Sequence, residues 1–216
     1  MKPIQHLKLH SLSEHLNLDL LKQAHTIKDV AISITISSLE QKALLENDTD
    51  SLNKISELKS LYNFNSLPLH IKKIIDLDLE KRIRTEIGVS LPIGIDFEVQ
   101  AVTADNFPSR SFIHNDGNGP TSRKVSWYYL LTESAAKTSF YNSDTGPFFG
   151  PVWRPIDVTE VDSKIMLQHN WYSFNHNHIH GVTGVTGPRY ALIINFSKAF
   201  ESYETCMENF RELISE

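Results

Sequence analysis

The sequence predicts a mostly β fold with helical support: an antiparallel sandwich or barrel, preceded by a helical half and closed by a C-terminal helix. Three observations lead there. From about residue 93, short alternating apolar and polar segments recur. Gly- and Pro-containing turns separate them. The first 92 residues read differently, rich in Leu, Ile, Lys, Glu and Ser, poor in aromatic residues and without glycine up to residue 87.

In chain order, Val30 to Ile36 (VAISITI) alternates and is rich in branched residues, which fits an early strand. Residues 37 to 60 carry apolar side chains at helical spacing, with Asp and Ser suited to caps. Leu and Ile recur every three or four positions from 67 to 87, which predicts a helix after Pro68. In the second half, Asp96 to Thr103 and Lys124 to Leu131 alternate as strands do. Shorter candidates are Thr138 to Tyr141, Ile165 to Gln168, Trp171 to Asn175 and Tyr190 to Phe196. Turn signals fall between them, at 115 to 120, Gly146-Pro147, Gly150-Pro151 and Gly187-Pro188. Past Lys198, a helical stripe of Phe200, Tyr203, Met207, Phe210 and Ile214 should dock on the β core. The expected organisation is one domain over 1–216: a mainly helical segment over 1–92, a β core over 93–197 and a helix over 198–216.

Bulk properties narrow the function classes. A hydrophobic content of 40% supports a core of useful size. A net charge of -5, with 21 basic residues spread along the chain, argues against a broad nucleic-acid surface. There is no apolar run of about eighteen residues, so no membrane span is expected. The opening MKPIQHLKLHSLSEHLNLDL has no continuous apolar region, which argues against a signal peptide. Cys206 is the only cysteine, and it fits a reducing compartment. A cytoplasmic protein is the expectation.

The chemistry-bearing residues lie in the β half. In Ser111 to Gly117 (SFIHNDG), His114 and Asp116 are two apart, so an extended segment would point both to one side. Taken alone the pair is weak, because Asp116 before Gly117 equally suits a turn. Some sixty residues on, Phe174 to Arg189 reads FNHNHIHGVTGVTGPR. His176, His178 and His180 alternate and could share one strand face. One of them could complete two histidines and a carboxylate, a ligand set that suits Fe(II) and leaves positions open for oxygen and a cosubstrate. His180 is the preferred ligand, because Gly181-Val182 follows it and Arg189 comes nine residues later. Arg189 opens the most strand-like run in the chain, YALIINF, where a buried charge requires an anionic partner. A dicarboxylate fits its guanidinium fork, as would an ordinary Asp or Glu.

In this order of His-x-Asp, distant His and Arg, the chain resembles the Fe(II)/2-oxoglutarate oxygenase superfamily over roughly residues 93 to 197. The resemblance implies a double-stranded β-helix (jelly-roll or cupin-like) core and a metal held by His114, Asp116 and His180. It also implies a 2-oxoglutarate cosubstrate held by Arg189, O2 as oxidant, and hydroxylation with release of succinate and CO2. Within the superfamily it looks closest to the aspartyl/asparaginyl β-hydroxylase-like branch. There Arg123, nine residues past His114, and Thr103 would also hold the cosubstrate. The chain departs from that branch in having Val125 two residues past the arginine, where a histidine is common. The implied substrate is an amino acid, a peptide side chain or a small metabolite. Most aromatic residues of the β half should fill the core. Trp171, Tyr129 and His178, with His176 beside them, are the candidate substrate contacts. Asn115, Asn175 and Asn177 are candidates to orient the ligating histidines. A cupin-type metal protein with other chemistry and a non-catalytic binding barrel are the competing readings.

Overall fold

The computed structural model describes residues 1–25, 43–62, 70–102, 113, 115–116, 124–143 and 158–215. The expected strand at Val30 to Ile36 lies outside them, as do His114, Thr103 and Arg123. Nine strands are described: β1 (Ile4–Leu7), β2 (His70–Lys73), β3 (Asp96–Val102), β4 (Val125–Leu130), β5 (Lys137–Ser143), β6 (Val158–Ile165), β7 (Trp171–Asn175), β8 (Ile179–Thr183) and β9 (Arg189–Asn195). Among the described residues, helices that accompany them include α1 (Glu14–His25), α2 (Thr49–Tyr62), α3 (Leu77–Ile87) and α4 (Tyr203–Asn209). A short 3-10 turn, Arg211–Leu213, follows α4.

The strands form two antiparallel sheets. The larger has the order β1-β7-β4-β9-β3-β2, and the smaller β6-β5-β8. Strands β4 and β9 sit centrally in the larger sheet and are buried on both faces, which explains near-continuous apolar runs such as Val-Ser-Trp-Tyr-Tyr-Leu. Alternation divides their side chains. Trp127, Tyr129, Leu192 and Ile194 join a core shared with Leu16 and Leu20 of α1, Ile83 and Ile87 of α3, and Tyr203 and Met207 of α4. Tyr128, Leu130, Ala191 and Ile193 point the other way and meet Phe140 of the smaller sheet, with Phe174 and Met166. The layers are therefore helices, large sheet and small sheet. Strand β6 edges the small sheet, and its exposed Thr159 and Glu160 suit a strand that must not pair further.

The helix expected over 67–87 is corrected at its start. His70–Lys73 is a strand paired with Ala101 to Glu98, and among the described residues of that stretch only Leu77–Ile87 is helical. Asp76 starts that helix, its carboxylate accepting from the N–H groups of Asp78 and Leu79 at 3.0 Å. Gly88 ends it at φ 77°, the left-handed conformation a helix C-terminus favours. The C-terminal helix is shorter than the expected 198–216, but its stripe docks as foreseen: Tyr203 and Met207 are buried, and Phe200, Phe210 and Ile214 pack on the same core. None of the described helices is long and apolar enough to cross a membrane.

Candidate metal and anion site

The His176, His178 and His180 run does not share one strand face. Strand β7 ends at Asn175, a tight turn follows, and β8 begins at Ile179. The turn is closed by the His178 N–H donating to the Asn175 carbonyl at 3.3 Å and by the Asn177 N–H donating to Asn175 Oδ1 at 3.0 Å. Alternation now sends the three side chains to different places. His180 lies opposite Phe140 in β5 and faces the space between the sheets. His176 continues the inner face of β7 two residues after Phe174, with ring centroids 5.0 Å apart. His178 stays in the turn, half-buried, where burial holds its imidazole below the ordinary pKa; Glu204 opposes the shift and the N-terminal amine adds to it.

Asp116 reaches this pair from across the turn. The neighbouring Asn115 Nδ2 donates to the Asn177 carbonyl at 2.8 Å, which ties the Asp116 segment to the turn. Asp116 Oδ2 lies 2.8 Å from His176 Nδ1 and 3.8 Å from His180 Nε2. One ligand atom from each of Asp116, His176 and His180 falls within 4.8 Å of the others. Cis ligands of an octahedral ion with bonds near 2.1 Å lie about 3 Å apart, so a small contraction would bring Asp116 and His180 onto one ion, while His176 Nδ1 stands at hydrogen-bond distance from the same carboxylate. The imidazole of His180 is prepared for that role. Its Nδ1 lies 2.8 Å from the His178 carbonyl, which can only accept, so Nδ1 carries the proton and Nε2 offers a lone pair toward Asp116.

The second component is the guanidinium of Arg189. It heads β9 with only 5% exposure, on the face shared with Ala191 and Ile193. Its Nη2 contacts Met166 Sδ at 3.3 Å, and Thr138 Oγ1 approaches the same sulfur at 4.0 Å. Among the described residues no carboxylate pairs with Arg189, and thioether sulfur is a weak acceptor. Burial accordingly pushes its pKa below the ordinary value, opposed only by Tyr128. Thr138 pairs with Val182, and Phe140 with His180, so the threonine sits one inward-facing pair further along the small sheet, about 7 Å away by strand rise.

Of the residues singled out from sequence, the structure brings together Asp116 and His180, and it buries Arg189 on the same inter-sheet face. Trp171 and Tyr129 are not brought there. Both belong to the helix-side core, Trp171 donating from Nε1 to the His10 carbonyl and Tyr129 accepting from the Leu12 N–H. The asparagines at 115, 175 and 177 bond to one another across the turn. The sequence offers His176 both as a ligand and as a substrate contact, and gives Thr138 and Met166 no role at the site. The one usable signal was a histidine just past a strand end, two residues beyond an inward Phe.

No model of a protein family matches the sequence, and no curated protein matches it. Solved structures do align with the fold. A prolyl hydroxylase from Trichoplax adhaerens, in complex with a hypoxia inducible factor oxygen degradation domain peptide fragment, aligns at 16% identity over 55% of this chain and 50% of its own, with a TM-score of 0.32. This chain thus spans half of that structure's length. A Pseudomonas putida prolyl-4-hydroxylase aligns at 14% identity over 89% of each chain, with a TM-score of 0.39. A 2OG-Fe(II) oxygenase family oxidoreductase from Burkholderia pseudomallei aligns at 11% identity over 65% of this chain and 75% of its own, with a TM-score of 0.34. Likenesses this distant leave the functional reading to the side chains.

Proposed function

We propose that the chain is a non-haem Fe(II)- and 2-oxoglutarate-dependent oxygenase that hydroxylates an amino acid, a peptide side chain or a small metabolite. The observation that carries this reading is the pairing of two features on one inter-sheet face. A histidine nitrogen and a carboxylate oxygen converge, and a buried guanidinium without a carboxylate partner among the described residues lies nearby. The strand order supports a double-stranded β-helix: β3, β4, β7 and β9 fall in one sheet and β5, β6 and β8 in the other, so the chain passes back and forth between them.

Asp116 and His180 would hold the iron, with His114 of the same His-x-Asp segment as the third ligand. Two histidines and a carboxylate suit Fe(II) and leave sites for a chelating oxo acid and O2. When bound, iron with 2-oxoglutarate supplies oxygen activation: one oxygen atom goes to the cosubstrate, giving succinate and CO2, and the other to the substrate C–H bond. The protein's own groups bind, orient and exclude water. Arg189 would take the far carboxylate of the cosubstrate in a bidentate fork, with the Tyr128 and Thr138 hydroxyls as further donors. Arg123 and Thr103 are further candidates for the same ligand. The His178 carbonyl keeps the Nδ1 proton of His180 in place, and Phe140, Phe174 and Met166 wall the slot against water. The reducing compartment implied by the lone cysteine, the cytoplasm, suits a ferrous centre.

The test is succinate release by purified protein supplied with Fe(II), 2-oxoglutarate and O2, with a panel of amino acids, peptides and metabolites. Turnover that needs all three and disappears in Asp116→Ala and His180→Ala is the expected result. Metal binding without any affinity for 2-oxoglutarate would overturn the reading in favour of a cupin-type metal protein.

A further inference from the structure

We infer that His176 is a positioning residue: its Nδ1–H holds the Asp116 carboxylate turned toward His180 Nε2 before any metal ion arrives. The inference rests on the assignment of Asp116 and His180 as ligands.

The imidazole of His176 is well suited to fix another group, because it is itself fixed. Its side chain is 1% exposed. Phe174 packs at a centroid distance of 5.0 Å, Tyr128 at 6.1 Å, and His180 at 5.5 Å in an edge-on arrangement of 79°. Its backbone N–H donates to the Lys124 carbonyl at 3.1 Å, which anchors the start of the turn to the entry of β4. Asp116 differs in kind. Its side chain is 30% exposed and stands on a segment outside the named strands. A carboxylate in such a place ordinarily samples several rotamers, and a metal site must select one. The 2.8 Å contact from His176 Nδ1 to Oδ2 makes that selection in advance. An ionised carboxylate can only accept, so the proton resides on Nδ1.

His180 is braced from the same turn. The His178 carbonyl fixes His180, and the Asn177 carbonyl receives Asn115 beside the carboxylate. Three consecutive residues, His176 to His178, therefore brace Asp116 and His180, two of the three proposed ligands. Such outer partners commonly change metal affinity by about 10–100-fold when removed.

The experiment titrates the metal-free full-length protein with Co(II), whose absorption bands report coordination as well as affinity. His176→Phe keeps a ring of similar size and removes the donor, and binding is expected to weaken by about 10–100-fold with unchanged band positions. His176→Asn puts an amide N–H where Nδ1 was, and is expected to restore most of the affinity. His176→Gln places its amide where Nε2 was, away from Oδ2, and should bind as weakly as the phenylalanine variant. If His176→Phe does not fold, the Asn and Gln variants alone make the comparison. Wild-type affinity in the Phe or Gln variant, or an Asn variant no better than Gln, overturns the inference. Asp116→Ala and His180→Ala serve as the control: unchanged Co(II) affinity in these two would instead overturn the ligand assignment beneath it.

Discussion

A guanidinium buried between two sheets with a thioether as its close neighbour is a costly arrangement. Desolvating the charge costs several kcal/mol, and sulfur returns little of it. The cost makes sense where an anion completes the site, and that gives Arg189 a test separate from turnover. Arg189→Met removes the buried charge and keeps the length of the side chain, so stability of the ligand-free protein should hold or rise by about 1 kcal/mol. Affinity for 2-oxoglutarate should fall about 100-fold, the loss expected when a bidentate charged contact is deleted. Calorimetric titration and thermal unfolding check the two halves. A variant that melts far lower yet binds 2-oxoglutarate normally would make Arg189 a structural residue. His178 offers the opposite case, since the site uses its backbone carbonyl. His178→Ala should leave Co(II) affinity unchanged, and a clear loss would mean that its imidazole takes part.

At the scale of elements, what could be read from sequence depended on whether a pattern has one meaning. Strands β3, β4, β7 and β9 were legible because their runs are long, branched or aromatic, and bounded by turns. His70–Lys73 was absorbed into the helix beside it because Leu and Ile spacing across 67–87 does not show where pairing with β3 stops. Asp76 is the residue that marks the boundary. The site divides in the same way. Asp116, His180 and Arg189 stood out by residue type and order. Their partners Met166, Thr138 and Tyr128 meet through cross-strand register, which leaves no mark along the chain. Alternation showed that Tyr128 and Tyr129 face opposite ways, but with both faces buried no polar side told which one faces the site. The ends of α3 carry a prediction at this scale. Asp76→Ala removes the N-terminal cap and should cost about 1 kcal/mol. Gly88→Ala should cost about 1–2 kcal/mol, because the residue sits at φ 77° and a Cβ there would lie 3.1 Å from the His10 ring. Urea unfolding measures both, and metal affinity should be untouched because α3 packs on the opposite face of the large sheet.

For the whole molecule, the helix layer is what closes the far side of the large sheet, and its attachment has a pH limit. Helix α4 presses Tyr203 and Cys206 fully into that core. The Tyr203 hydroxyl shares a 2.8 Å hydrogen bond with Ser173 of β7 and accepts from Gln5 of β1 at 3.3 Å. Burial pushes the Tyr203 phenol up to about 12 and the Cys206 thiol up to about 12, from ordinary values of 10.0 and 9.0. In both groups the folded state keeps its proton after the unfolded chain has released it. Unfolding therefore releases protons above the ordinary value, and stability must fall as pH rises. Below pH 9 the contribution of both groups is fully present. Between about 9 and 10 the thiol alone should lower the unfolding free energy, by about 1.4 kcal/mol per pH unit at most. Above 10 the phenol joins it and the slope approaches about 2.8 kcal/mol per unit, until both folded values are passed near 12. Burial shifts Tyr129 and Tyr190 in the same direction, which steepens the fall above pH 10 beyond the share of Tyr203 and Cys206. Urea unfolding at a series of pH values traces the curve. Cys206→Ala, though less stable at neutral pH for the lost packing, should be flatter between pH 9 and 10 while keeping the steeper fall above 10. A wild-type curve that stays level to pH 10.5 would mean that the α4 face opens to water without global unfolding, so that the helix layer is not part of the cooperative core.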